Sequence, residues 1–95
     1  MDSADRKEIV EHIRNTTGLR KKDVERVLSE EQQYVSDLLR TGVEVKYYRF
    51  GILRPVTVDA RYGVLPDGET MLIPAHKVIR FYPSKTLREY VNQED

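Results

Sequence analysis

Apolar side chains early in the chain recur at helical spacing. Ile9, Val10 and Ile13 mark one face of a first short helix, with Ser3 as the expected N-cap and Asn15 to Gly18 supplying its end. Val24, Val27, Leu28, Tyr34, Val35, Leu38 and Leu39 then keep a 3.6-residue rhythm until Thr41-Gly42, which predicts a long helix of roughly six turns. Glu31 and Gln32 interrupt its apolar stripe, and leaving Glu31 buried without a partner would cost several kcal/mol, so it is expected at an exposed edge. Beyond Gly42 the texture changes: Val43, Val45, Tyr47, Phe50, Ile52, Leu53, Val56 and Val58 favour a pleated sheet and read as two strands joined near Arg49 to Gly51. "GVLPDG", residues 63 to 68, is a turn signal before a returning strand from Glu69 to Arg80. Pro55 and Pro74 lie within these strands and lack the N–H that a ladder needs, so the outer hairpin is expected to be a two-stranded ribbon with free edges. Pro83 ends the sheet, and Ser84 is a fair N-cap for a last helix with Leu87, Tyr90 and Val91 on one face. The order is ααβββα, an α+β arrangement.

Composition narrows the function classes. Ninety-five residues make one small domain that buries a modest fraction of its surface, which points to an oligomer. The absence of cysteine removes disulfides, thiolate nucleophiles and Cys-based zinc sites, in keeping with a reducing cytoplasm. Neither a membrane span nor a signal peptide can be placed, so no membrane partner is expected. Sixteen basic residues balance sixteen acidic ones, which argues against a polycation that coats nucleic acid by charge alone. The distribution is uneven, however. Residues 1–39 carry seven Lys/Arg against nine Asp/Glu, whereas residues 40–90 carry nine against five.

Little supports catalysis. His12 and His76 stand in no motif with a nucleophile or metal ligand, the glycines are scattered at turns, and Glu30 and Glu31 read as solvated. No enzymatic activity, cofactor or metal is expected. The remaining chemistry is cationic: a ribbon bearing Arg54, Arg61 and Lys77, then a helix start flanked by Arg80 and Lys85, where free N–H groups suit a phosphate. A narrow ribbon fits a DNA groove, and Pro66 at its tip either wedges between bases or simply tightens the turn.

The ordered set "GLRKKDVERVL", "LLRTGVEVKYYRFGIL", "ARYGVLPDGE" and "IPAHKVIRFYPSKTLREYVN" resembles the bacterial histone-like HU/IHF family over almost the whole chain. That resemblance implies two N-terminal helices, a three-stranded antiparallel sheet with an extended β-ribbon arm and a short C-terminal helix. It also implies an intertwined homodimer or heterodimer with another HU-like chain. Residues 1–42 would form the helical dimerisation part, 43–82 the sheet and arm, and 83–95 the last helix and tail. The implied partner is double-stranded DNA, bent from the minor groove with little sequence reading, and the implied location is the cytoplasmic nucleoid. Pro66 matches the family's intercalating proline, Arg61 an arm arginine, Lys77 a strand lysine and Lys85 the lysine opening the last helix; Arg80 and Arg88 lie beside the matching stretch. The arm departs from the pattern. Ala60-Arg61-Tyr62-Gly63-Val64-Leu65-Pro66 stands where the family reads Ala-Arg-Lys-Gly-Arg-Asn-Pro, so two cations are lost. Each lost phosphate contact removes roughly 0.9 from the salt-dependence slope, and weaker, less salt-sensitive binding is expected. Val64 and Leu65 either enlarge the wedge or touch protein. The alternative to a DNA-bending role is an HU-like interaction module that has lost strong DNA binding.

Overall fold

A computed structural model describes residues 2–94. The chain forms two compact units, Met1–Ser36 and Asp37–Asp95. In the first, helix α1 runs Arg6–Thr17 and helix α2 begins at Lys21, continuing to Arg40. The N-cap of α1 is Asp5, whose carboxylate accepts from the Glu8 N–H at 3.1 Å, and not Ser3 as the sequence suggested. Both residue types cap well, but a carboxylate also brings negative charge to the helix N-terminus. Among the described residues Val10 and Val24, each 2 % exposed, are the buried hydrophobic ones.

Arg6 accounts for much of the polar interruption in α2. Its guanidinium donates to the Ser29 hydroxyl at 2.8 Å, the Glu25 carbonyl at 3.2 Å and the Gln32 side-chain carbonyl at 3.3 Å. Positions 25, 29 and 32 follow helical spacing and share one face. Gln32 therefore belongs to a polar seam against α1. Glu31, one step further round the helix, is exposed as expected.

The second unit carries β1 (Val45–Tyr47), β2 (Gly51–Val58), β3 (Arg61–Val64), β4 (Thr70–Ile73), β5 (His76–Pro83) and α3 (Lys85–Val91). Strands β1, β2 and β5 form an antiparallel sheet in that order, and β3 with β4 forms a separate two-stranded ribbon. The single returning strand read from Glu69 to Arg80 is thus two strands, parted at Pro74-Ala75. Opposite them the outgoing strand is parted at Asp59-Ala60. Proline's missing N–H explains the break. The register survives it: Arg61 opposite Ile73 follows in step from Val58 opposite His76. Pro55 lies beyond Leu53, the last β2 residue paired with β1, so its only strand neighbour is β5. Such a half-free position tolerates proline.

Cross-strand partners share a face. Val45, Leu53 and Phe81 lie on one side of the sheet together with Tyr47, Pro55 and Ile79. This is an apolar face, yet in the single chain Phe81 is 43 % exposed. Gly51 lies in the same set and is buried because the chain closes tightly over it; a Cβ there would stand 2.6 Å from the Tyr82 carbonyl oxygen and 2.6 Å from the Phe81 ring. Phe50, just before it, meets Phe81 at 5.7 Å between ring centroids. Ser84 caps α3 as expected, its hydroxyl accepting from the Leu87 N–H at 3.0 Å.

Candidate nucleic-acid interface

The opposite face of the sheet is cationic. Its rows are Lys46, Ile52 and Tyr82, then Arg54 and Arg80, then Val56 and Val78, then Val58 and His76. Two arginines directly across an antiparallel pair repel each other, so Arg54 beside Arg80 is an arrangement that an anion would relieve. Glu44 meets part of that need by pairing with the Arg54 guanidinium. Its hydrogen bond first, and then its charge, raise the Arg54 pKa above the ordinary value. The same guanidinium lies over the Tyr82 ring, 4.9 Å from its centroid, a contact that steers its direction.

The six residues singled out from sequence do not form one cluster. Arg54 and Arg80 are side by side. Lys77, opposite Thr57, lies on the apolar face instead, and its amine donates to the Arg40 carbonyl at 3.5 Å. There it complements the C-terminal end of α2. Arg61 and Pro66 are on the distal ribbon. Lys85 opens α3, a helix of seven residues, and pairs with Glu89 at 3.7 Å. One of the N–H groups expected to be free for phosphate at that helix start is already taken by Ser84. Lys46, which the sequence reading passed over, joins the Arg54 face because the register places it opposite Ile52.

The ribbon tip is a tight turn. Leu65 accepts from the Gly68 N–H at 2.9 Å, and its own N–H donates to Glu69 at 2.7 Å. Gly68 has φ 88, which matches a type I turn followed by a left-handed glycine bulge. Pro66 takes the turn's second position, where its fixed φ is already right, and it is exposed. From Arg61 to Ile73 the ribbon holds Arg61 as its one cation against Asp67 and Glu69. Its surface is otherwise apolar, with Val64 75 % exposed.

The β1–β2 turn carries strain. Phe50 N–H donates to the Tyr47 carbonyl at 3.0 Å, and Arg49, the third of the four turn residues, has φ 58. A type II turn needs a left-handed residue there, normally glycine, and an arginine pays about 1 kcal/mol for it. Arg49→Gly is therefore expected to stabilise the fold by about 1 kcal/mol, read as a higher urea midpoint with unchanged m-value. In return for the strain, the Arg49 guanidinium sits over the Tyr48 ring at 5.5 Å, on a side chain 88 % exposed.

Among the described residues no group of three or more His, Cys, Asp or Glu is placed to hold a metal ion, and no helix is long and apolar enough to cross a membrane. Residues 4–92 match the family described as bacterial DNA-binding protein. DNA-binding protein HU of Thermotoga maritima is 32 % identical over 87 residues, covering 90 % of this chain and 97 % of its own. HU of Geobacillus stearothermophilus is 35 % identical over 85 residues, covering 88 % and 94 %. Among solved structures, a chain of the Anabaena HU–DNA cocrystal superposes with a TM-score of 0.88 at 27 % identity, covering 96 % of this chain and all of that one.

Proposed function

The chain belongs to the bacterial DNA-binding protein family, and on that premise we propose that it is an architectural protein that binds and bends double-stranded DNA as a dimer. The observation that carries the reading is the face on which Arg54 and Arg80 stand across from each other with Lys46 in the next row, in a chain that aligns almost end to end with a DNA-bound HU. Phosphates replace Glu44 as the partner of Arg54 and relieve its repulsion from Arg80. The ribbon then reaches into the minor groove, where Arg61 meets the backbone and Pro66 wedges apart one base step, a move that costs a few kcal/mol and is repaid by wrapping more protein surface. Lys85 meets phosphate at the edge of the same surface, exchanging Glu89 for it. In this reading Lys77 serves the scaffold by holding the end of α2. The bare apolar face around Phe81 is the part a second HU-like chain covers, whether identical or not. Such a role belongs in the cytoplasm, on the nucleoid.

A salt series with a labelled duplex tests the reading. Binding is expected at low salt, falling linearly in log–log form as salt rises. Arg80→Ala lowers the slope by about 0.9 for each phosphate contact removed and weakens binding equally on unrelated sequences. Absence of duplex binding at low salt defeats the proposal.

A further inference from the structure

Beyond Arg54 and Arg80 the cationic face crosses a row without charge, Val56 and Val78, and ends on Val58 and His76, just before the ladder breaks. A duplex that lies over the two arginines and follows the ribbon passes His76, about 13 Å from Arg80 at the rise of a strand. The imidazole is exposed and braced. Its Nδ1 lies 3.0 Å from the Pro74 carbonyl oxygen. A carbonyl oxygen only accepts, so Nδ1 carries the proton of the neutral ring and Nε2, facing away from it, is a bare acceptor. An acceptor gains nothing from a phosphate oxygen. Once protonated, Nε2 donates a charge-assisted hydrogen bond instead. The bond to Pro74 is kept in both states, so gaining the charge requires no movement of the chain.

The surrounding charges leave this position open. Glu44 is paired with Arg54, and among the described residues no ion pair includes the His76 ring. Asp59, the residue after Val58, is the carboxylate nearest in register, Arg61 opens the ribbon opposite Ile73, and Lys77 turns to the other face, where it meets the Arg40 carbonyl. We propose that His76 is a proton-gated DNA contact: in its charged form it holds a backbone phosphate between the sheet arginines and the arm, so that duplex binding takes up a proton there. This inference rests on the reading of the Arg54–Arg80 face as the duplex surface. The contact is complete at low pH and is lost as pH rises, because only the charged ring makes it.

Of the side-chain types in this chain, histidine alone ordinarily changes charge between about pH 6 and pH 8, and His12 is the only other one. One phosphate contact is worth about eightfold in affinity at about 0.1 M salt. Binding of an intact duplex is therefore expected to be about eightfold tighter at about pH 6 than at about pH 8 for each His76 engaged, with a salt slope steeper by about 0.9. His76→Gln should remove both differences and His12→Gln should keep them, while His76→Lys should bind at either pH as tightly as the unaltered protein does at the lower one. Calorimetry at about pH 7 in buffers of different ionisation enthalpy should register proton uptake on binding, absent in His76→Gln. Equal affinity at the two pH values, a pH dependence that survives in His76→Gln, or binding without proton uptake overturns the proposal. Duplex binding that ignores pH defeats the role of His76 alone; no duplex binding at low salt at either pH defeats the broader reading, and His76 with it.

Discussion

Dilution is expected to destabilise this protein: its thermal midpoint should fall by about 5–10 °C for each hundredfold drop in concentration, because a hundredfold change in a required partner is worth about 2.7 kcal/mol. The reason is the bare apolar face of the sheet. Among the described residues of the single chain Val10 and Val24 are the buried hydrophobic ones, and neither is in the sheet. Leu53, Pro55, Ile79 and Phe81 share a face that the chain itself leaves partly open. A domain of this size has little stability to spare, so folding and assembly should occur together. Phe81→Ala separates the possibilities further. A ring 43 % exposed in the single chain would cost about 1 kcal/mol or less as a surface residue, but about 3–5 kcal/mol if a second subunit covers it. A thermal midpoint independent of concentration, with a small effect of Phe81→Ala, would show that the monomer is the folded species.

Gly51→Ala should cost about 3 kcal/mol, although replacing a strand glycine by alanine ordinarily gains about 0.5–1 kcal/mol. Collision decides the sign. The new methyl would stand 2.6 Å from the Tyr82 carbonyl oxygen, a backbone atom fixed by the β2–β5 ladder, so the two strands must part at their junction with α3. Phe81, also 2.6 Å away, cannot turn aside without losing Phe50. Gly63→Ala provides the contrast. Its methyl would meet only the far end of the Ile73 side chain, at 2.9 Å, and a rotamer change relieves that for about 1 kcal/mol. Urea denaturation of both variants reads the difference, and equal costs would mean that the β2–β5 contact at Gly51 yields as easily as a side chain.

Features written in neighbouring residues were legible in the sequence. The apolar rhythm of the first two helical segments, the Pro-Asp-Gly tip and the Ser84 cap each depend on a few adjacent positions, and all appear in the structure. Asp5 took the place of Ser3 because two good caps stood close together and local pattern does not rank them. The facing of strand residues was not legible, since a shift of one residue in pairing exchanges the two sides of a sheet. Only the register reveals that Lys46 joins Arg54 while Lys77 turns the other way. Arg49 was hidden for a related reason: no composition signal marks an arginine in a left-handed turn. The family pattern conveyed the arm and its tip, but the segregation of charge from the ribbon onto the sheet required the paired strands.

The ladder that is broken but not shifted between Val58 and Arg61 has a mechanical consequence. With pairing missing opposite Pro74-Ala75, each finger has an elbow there, and bending at it costs no backbone hydrogen bonds and no slippage. The tip at Pro66 can then swing relative to the three-stranded sheet while the pairing on either side of the break keeps its register.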